Sequence, residues 1–312
     1  MSLIVVGSVA FDAIETPFGK TDKIIGGAGS YICLAASYFN TNPKIISVIG
    51  EDFPLEFVNI LKSHGIQIEG LNTIPGAKTF FWSGKYNNDL NSRTTLVTEL
   101  NVLADFDPII PDSYQGSEYL MLGNLSPIVQ RQVIERLHKR PKLIVMDTMN
   151  FWMEIMMDEL LKTIKLVDVL TINDEEARIL SGEYSLVKAA KKIQAMGPKF
   201  LIIKKGEHGA LLFGENKVFF APALPLKEVF DPTGAGDTFA GGFIGYLAQT
   251  QDISFENMKT AIIMGSALAS FCVEKFGTDH LQNLSKTNIY NRVQEFVELV
   301  KFDLNLHLED HS

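Results

Sequence analysis

Residues 231–242 read Asp-Pro-Thr-Gly-Ala-Gly-Asp-Thr-Phe-Ala-Gly-Gly, and the interpretation of the whole chain starts from this stretch. Apolar, strand-like residues precede it, and the residues after it have the composition of a helix. The pattern therefore predicts a loop that opens directly into a helix. Gly234, Ala235 and Gly236 have little or no side chain, so their backbone N–H groups are free to surround an anion. A helix N-terminus adds aligned N–H groups and the positive end of a dipole at the same place.

Asp237 puts a carboxylate inside this predicted anion-binding turn. Negative charge beside a bound phosphate makes chemical sense when the carboxylate accepts a proton from a hydroxyl. The residues therefore favour phosphoryl transfer to an alcohol. The alternative is an ordinary helix start, in which the glycines allow close packing and the aspartate is incidental.

Short apolar runs alternate with amphipathic stretches along most of the chain. Continuous runs of this length fit strands that are buried on both faces of a largely parallel sheet. Alternation of strands and helices predicts right-handed crossovers and a doubly wound α/β fold, with the sheet flanked by helices. The predicted strands are 3–6, 45–49, 119–122, 143–146, 167–172, 200–203 and 210–213, and the predicted helices are 29–39, 54–64, 127–138, 174–180 and 186–196.

One part of the chain departs from this alternation. Residues 78–86 and 92–98 are rich in β-forming side chains and are joined by a turn-rich segment, which predicts a hairpin. Residues 12–23 are also non-helical. Long non-helical insertions in α/β proteins are often functional, although an ordinary edge hairpin is the alternative.

Composition excludes several classes of partner. The 312 residues are 46% hydrophobic, which is enough for a large buried core. The net charge is −9 and no basic run exceeds two residues, which argues against nucleic acid and anionic membranes. Two isolated cysteines favour a reducing compartment, and no apolar stretch reaches the ~20 residues that cross a bilayer. We expect a soluble, cytoplasmic protein with one domain over 1–304 and a C-terminal tail at 305–312.

The string Asp-Pro-Thr-Gly-Ala-Gly-Asp-Thr-Phe resembles the C-terminal signature of the ribokinase (PfkB-type) family of carbohydrate and nucleoside kinases. The resemblance extends from Val5 to Gly277 and implies a ribokinase-like fold. It also implies a small β lid over the acceptor, formed by about 10–24 and 76–100. Lid strands in this family sometimes pair across a dimer, so a homodimer through the lid is a further expectation.

The same resemblance implies roles for the turn and its cosubstrates. Asp237 would be the general base, and Gly234, Ala235 and Gly236 would form the anion hole over the transferred phosphate. The γ-phosphate of ATP would be transferred to a hydroxyl of a sugar or sugar-like acceptor, and Mg²⁺ would be the cofactor.

The acceptor side is expected near the N-terminus. Asp12 ends a segment that resembles the family's first strand, whose aspartate binds acceptor hydroxyls; the alternative is that it only starts a turn. Gly26 and Gly27 resemble the N-terminal Gly-Gly signature. Relatives usually place a sugar-binding Asn four residues later, and this chain has Tyr31 there. Asn124 is a further candidate for the acceptor site.

The nucleotide side is expected after two later strands. Asn173 and Glu176 match the family's Asn-x-x-Glu motif, which is linked to magnesium and phosphate, and they also fit a simple helix cap. Gly206 and Gly209 resemble a nucleotide-side Gly-x-x-Gly turn. Lys205 precedes this turn and is predicted to touch the phosphates, with a plain hairpin turn as the alternative.

Asp231 and Thr233 match positions where some relatives hold a monovalent cation such as K⁺ beside the anion hole. The resemblance therefore implies a potassium site there. The alternative is that Asp231 caps the loop.

Two other functions stay open at this point. A nucleoside kinase of the same family is favoured by the aromatic residues 80–82 and Tyr31, which offer faces for a base. A non-catalytic sugar or nucleotide sensor is disfavoured by the intact glycine turn with Asp237. The chain contains no Gly-x-x-x-x-Gly-Lys-Ser/Thr, Gly-x-Gly-x-x-Gly, His-Glu-x-x-His or Gly-x-Ser-x-Gly motif.

Overall fold

The computed structural model of the protein describes residues 2–90 and 92–301. Its strands are β1 (Leu3–Val6), β2 (Ala10–Thr16), β3 (Gly19–Lys20), β4 (Ile24–Gly26), β5 (Lys44–Gly50), β6 (Gln67–Ile74), β7 (Phe81–Tyr86), β8 (Arg93–Glu99), β9 (Tyr119–Leu122), β10 (Leu143–Asp147), β11 (Val169–Asn173), β12 (Phe200–Lys204), β13 (Ala210–Gly214) and β14 (Lys217–Ala221). Its helices are α1 (Ala28–Ser37), α2 (Leu55–Ser63), α3 (Pro127–Arg136), α4 (Asn150–Ile155), α5 (Met157–Ile164), α6 (Asp174–Ser181), α7 (Leu186–Gln194), α8 (Ala235–Thr250), α9 (Phe255–Cys272), α10 (Asp279–Gln282) and α11 (Lys286–Val300).

The central sheet has nine strands in the order β14-β13-β12-β11-β10-β9-β1-β5-β6. The strands from β12 to β6 run parallel to one another, and β13 and β14 are antiparallel additions at one edge. The prediction of a doubly wound, largely parallel sheet is confirmed. Parallel strands carry their carboxyl ends to the same edge, and sites in such sheets form outside that edge.

The two faces of the central sheet support separate cores. Along β1, Leu3 and Val5 face one core, and Ile4 and Val6 face the other. Helices α1, α2, α8 and α9 cover the first face, and α3, α5, α6 and α7 cover the second. Every residue of β1 is buried, which explains why this strand reads as a continuous apolar run.

A second, smaller sheet has the order β3-β2-β7-β8, with β4 paired to β2. It contains the predicted hairpin, as strands β7 and β8, and the non-helical segment near the N-terminus, as β2 to β4. Strand β2 runs parallel to β7. Every residue of β8 is exposed, so this edge of the small sheet lies against solvent.

Some elements differ from the sequence prediction. Strand β6 was not predicted, because its polar residues and glycine give only weak apolar alternation at the sheet edge. Ser126 stands at the N-cap of α3, although its side chain makes no capping hydrogen bond. Within 2–90 and 92–301, no helix is long and apolar enough to cross a membrane. The predicted tail at 305–312 lies outside the described residues.

Candidate active site

The predicted catalytic loop, residues 232–237, lies at the N-terminus of α8. Gly234 is the N-cap residue, with a φ of 76°, which glycine adopts far more readily than other residues. The ring of Tyr31, in the first turn of α1, is buried directly beneath it. A methyl group added at Gly234 would stand 2.4 Å from Tyr31 Cζ, so both the backbone and the packing require glycine here.

Asp237 lies in the first turn of α8 and is partly exposed. It interacts with charged residues of both sheets, and together they form the charged centre of the site. Burial raises the pKa of Asp237 to about 7, and Asp147 adds to the rise, while Lys204 and Arg93 oppose it. Desolvation disfavours the charged form of a carboxyl, so these cations offset part of its effect. A carboxyl group with a pKa near 7 can accept a proton at neutral pH.

Asp12, which was predicted on the acceptor side, interacts electrostatically with Asp237. It is buried in β2, and burial raises its pKa to about 7, with Asp231 and Asp237 adding to the rise and a hydrogen bond with the Gly27 backbone opposing it. A methyl group added at Gly26 would stand 1.9 Å from Asp12 Oδ2, so the carboxylate lies directly on the glycine backbone. The structure therefore brings Asp12, Gly26 and Gly27 together.

Trp82 shares a face of the small sheet with Asp12. The two residues are register partners on the parallel strands β2 and β7, so their side chains leave the sheet on the same side. Trp82 is half-buried, its ring lies across Gly84, and its Nε1–H donates to Thr95 Oγ1 at 3.3 Å. An aromatic surface thus accompanies the acceptor-side carboxylate.

Two residues that were predicted to bind the acceptor, Tyr31 and Asn124, instead pack or form hydrogen bonds within the protein. The ring of Tyr31 is only 1% exposed, so it does not face an open pocket, and its hydroxyl has no hydrogen-bond partner among the described residues. Asn124 follows β9, where its Oδ1 accepts from Trp152 Nε1 at 2.9 Å and its Nδ2 donates to Met149 Sδ at 3.1 Å.

The carboxylate of Glu176, which was predicted on the nucleotide side, is held by the start of α6. Asn173 Oδ1 accepts from the Glu176 backbone N–H at 2.7 Å, and the Asn173 N–H donates to Glu176 Oε2 at 2.8 Å. This capping box was the simpler of the two interpretations of the motif, and it also fixes the Glu176 side chain in place. Burial raises the pKa of Glu176 to about 7, with Lys204 opposing the rise and Asp147 adding to it.

The predicted Gly-x-x-Gly turn connects β12 to β13. Gly206 is exposed and Gly209 is buried, and the Lys205 N–H donates to the Gly209 carbonyl at 2.8 Å. The turn joins two antiparallel strands, so it has the form of a hairpin connection. The ammonium group that enters the charged centre belongs to the preceding residue, Lys204, which pairs with Asp147 Oδ2 at 2.9 Å.

Asp231 is completely buried below the catalytic loop. Its Oδ1 accepts from the Thr233 N–H at 2.8 Å, and its Oδ2 accepts from the Gly277 N–H at 3.3 Å. Thr233 Oγ1 donates to the hydroxyl of Tyr86 at 3.1 Å, which connects the loop to the small sheet. Within the described residues, no cluster of three or more His, Cys, Asp or Glu side chains is arranged to hold a metal ion.

Four residues of this centre were missed or given little weight by sequence reasoning: Asp147, Lys204, Tyr86 and Arg93. Asp147 and Lys204 end two buried strands, a position that indicates a site in a parallel sheet. Tyr86 and Arg93 face each other across the hairpin, in a register that the sequence does not reveal.

Comparison with known proteins places this chain in a family. The model of the pfkB family carbohydrate kinases matches residues 2–284. The chain is 30% identical over 254 residues to the cytidine kinase of Thermococcus kodakarensis, covering 79% of this chain and 88% of that protein. It is 27% identical over 301 residues to the ribokinase of Haemophilus influenzae, covering 88% of this chain and 93% of the other. The solved nucleoside kinase of Methanocaldococcus jannaschii has a TM-score of 0.76 at 20% identity, covering 95% of this chain and 99% of that one.

The chain therefore belongs to the pfkB family of carbohydrate kinases. It has the ribokinase-like fold, and it is a phosphotransferase that acts on a hydroxyl group.

Proposed function

We propose that this kinase transfers the γ-phosphoryl group of ATP to a hydroxymethyl group of a ribose-like acceptor, with Asp237 as the general base. The observation that carries the proposal is the position of Asp237. It lies in the first turn of α8, immediately after the glycine turn, and it interacts electrostatically with both Asp12 and Lys204.

The chain's own groups divide the chemistry between them. Asp237 accepts the proton of the attacking hydroxyl, and the backbone N–H groups of residues 234–236 donate hydrogen bonds to the charge that develops on the transferred group. Preorganised donors of this kind supply much of the rate acceleration in phosphoryl transfer. Asp12 accepts hydrogen bonds from neighbouring hydroxyls of the acceptor, which hold the reacting one beside Asp237.

The nucleotide side fits a magnesium ion that is shared with phosphates. Glu176 and Asp147 are buried carboxyl groups, and Asp147 pairs with the ammonium group of Lys204. Burial raises the pKa of Glu176 to about 7, and a cation bound beside it would favour its charged form. Mg²⁺ usually keeps several waters and binds one or two carboxylates together with substrate phosphates. When bound, it would neutralise charge on the phosphates, and Glu176 would hold it through water.

We infer further that the acceptor is a nucleoside. Trp82 presents an aromatic surface beside Asp12, which suits a ribose that carries a base. The 30% identity to a cytidine kinase supports the same choice. Tyr31, which sequence reasoning also considered for stacking, is buried beneath Gly234 and does not contribute.

Three expectations stay predictions. The small sheet would serve as the lid of a single domain, and its exposed strand β8 would pair with a second copy in a homodimer. A potassium ion would lie beside Asp231 and Thr233. Both carboxylate oxygens of Asp231 already accept backbone hydrogen bonds, which is equally the behaviour of a residue that caps the loop.

An ADP-release assay over nucleosides, free pentoses and free hexoses tests the proposal. We expect turnover with at least one nucleoside and weak turnover with free sugars. Asp237→Asn should lower kcat by about 10²–10⁴-fold, the usual range for losing a general base, while nucleotide binding stays within about threefold. Near wild-type kcat in this variant would remove Asp237 from the mechanism. Turnover confined to free sugars would instead overturn the nucleoside assignment.

A further inference from the structure

The side chain of Lys204 enters the charged centre from the end of β12. It is 19% exposed, and its Nζ lies 2.9 Å from Asp147 Oδ2 at the end of β10. A methyl group added at Gly236 would stand 3.1 Å from the same Nζ. The ammonium group is therefore in van der Waals range of the glycine turn that receives the phosphate in the proposed function.

The surroundings of this ammonium group are strongly acidic. Burial lowers the pKa of Lys204, but Asp147 and Glu176 outweigh it and leave the pKa above its ordinary value. The acidic surroundings therefore favour the charged form of the lysine. Asp237 also contributes to this effect, so the cation is close enough to the predicted base to interact with it.

A purely structural ion pair does not account for this position well. Burying two charges costs desolvation energy, and well-packed apolar residues often do the same structural work at no loss. The central sheet around the pair has an apolar core on both faces, so packing did not require charges here. The pair lies where an anionic substrate group would arrive, which points to a binding role.

We propose that Lys204 contacts the transferred phosphoryl group of the nucleotide directly, donating a hydrogen bond to one of its non-bridging oxygens. This inference rests on the proposed function and extends it by one residue. As the acceptor oxygen bonds to phosphorus, the bond from phosphorus to the β–γ bridging oxygen breaks and its electron pair leaves with ADP. The hydroxyl proton goes to Asp237, and Lys204 neutralises charge on the group in transit without changing its own protonation state.

Nucleotide binding and turnover of Lys204→Met test this contact. A group that touches the γ-phosphate distinguishes ATP from ADP, so calorimetry should show ATP binding weakened about tenfold and ADP binding by less than about threefold. With the best acceptor, kcat should fall by about 10²-fold, because the contact strengthens as charge develops. Lys204→Arg keeps the charge and should restore a preference for ATP over ADP.

Two further lysines make the comparison specific. Lys192→Met removes an ammonium group from an ion pair with Glu183, at 2.6 Å, on α7, and it controls for the loss of a charge pair as such. Lys205→Met tests the rival assignment from the sequence. We expect both variants to keep the ATP-to-ADP affinity ratio of the wild type. The inference is overturned if Lys204→Met keeps that ratio, or if Lys205→Met is the variant that loses it.

Removing one partner of a buried pair can also unfold a protein. In that case the double variant Lys204→Met/Asp147→Asn, which removes both charges of the ion pair, is compared with Asp147→Asn alone for the same affinity ratio. The ratio should fall only where Lys204 is missing, and equal ratios overturn the inference. The outcome is separable from the proposed function, because wild-type protein without acceptor-dependent turnover would defeat that function first.

Discussion

The central sheet and the small sheet differ in how deeply their strands are buried. In β10, which ends at Asp147, every residue is buried, whereas in β8 every residue is exposed. Both sheets nevertheless supply the charged centre: the central strands bring Asp147 and Lys204, and the small sheet brings Asp12. The difference separates a fixed half of the site, held by two cores, from the small sheet, whose strand β2 is mostly buried while its outer strand β8 has no buried residue.

This contrast has a functional reading. Groups that stabilise a phosphate must be in place before the reaction, and a close-packed core holds them there. A sheet that covers an acceptor must also let it enter and leave, and poorly buried elements open at low free-energy cost. Substitutions in the fixed half should therefore reduce stability, and those that reach the site should reduce activity as well. Substitutions that only loosen the small sheet should mainly reduce activity.

Gly234→Ala should have the largest effect, because it strikes the fixed half at the catalytic loop. The new methyl group would meet the buried ring of Tyr31 at 2.4 Å, at a backbone φ of 76°. Overpacking and a left-handed alanine together should lower the free energy of unfolding by about 3 kcal/mol. We expect kcat to fall by about 10²-fold or more, since the N–H groups of the turn would be displaced.

Gly116→Ala is the matched control. Gly116 has a φ of 75°, but a methyl group there has nothing within 4 Å. Chemical denaturation should show a loss of about 1 kcal/mol from backbone strain alone, with unchanged kcat. Equal losses in the two variants would mean that the contact with Tyr31 does not hold the loop.

The pH dependence of stability probes where the two halves meet. Burial raises the pKa of Asp12, Glu176 and Asp237 to about 7, so the folded protein binds their protons more tightly than the unfolded chain does. Their contribution to stability is full below the unfolded pKa values and is lost as pH rises through about 7. The free energy of unfolding of the free protein should therefore fall between pH 5 and pH 8.

Asp12→Asn removes one of these groups and should flatten that slope. At pH 8 the variant should be more stable than the wild type by about 2 kcal/mol, because it buries no negative charge. Asp22→Asn, at an exposed position between β3 and β4, is the control and should keep the wild-type slope. Denaturant titrations at four pH values measure all three proteins, and parallel slopes for Asp12→Asn and the wild type would contradict the prediction.

The fold was largely predictable because its central strands are buried on both faces. Runs such as 143–146 and 200–203 have no polar alternation, and such runs indicate a parallel sheet with helices between the strands. Strand β6 lacks this property, because it lies at the edge of the sheet and has a mixed pattern, and it was therefore not predicted. Continuous apolar runs also leave the orientation of the strand ends undetermined. In Lys204-Lys205, no period in the preceding residues shows which lysine turns inward.

Residues of the charged centre could be predicted where their type and their position in the sequence together indicate one chemical role. A carboxylate after a glycine turn at a helix start is unusual enough to mark Asp237 from its neighbours alone. Tyr31 shows the limit, because its distance from Gly234 in the sequence is 203 residues and only the packing of α1 against α8 brings them together. The link from Tyr86 to Thr233 is of the same kind, since it depends on the register of a small sheet.

Tyr86→Phe should have the smallest effect and should separate the two halves most clearly. It removes the hydrogen bond that Thr233 Oγ1 donates to the Tyr86 hydroxyl, the link between catalytic loop and small sheet. A neutral hydrogen bond contributes about 1 kcal/mol, so kcat/KM for the acceptor should fall about 3–10-fold. The free energy of unfolding should stay within about 0.5 kcal/mol, because the small sheet contributes little to global stability.

Tyr114→Phe is the matching substitution in the fixed half, and we expect the opposite result from it. The Tyr114 hydroxyl is buried, donates to the Gln67 carbonyl at 2.8 Å and accepts from the Gly70 N–H at 3.3 Å. Its loss should lower the free energy of unfolding by about 1 kcal/mol or more and leave kcat/KM unchanged. If Tyr86→Phe instead destabilises the whole protein as much as Tyr114→Phe does, the two sheets unfold as one unit. The distinction between a fixed and a loosely held half would then have to be abandoned.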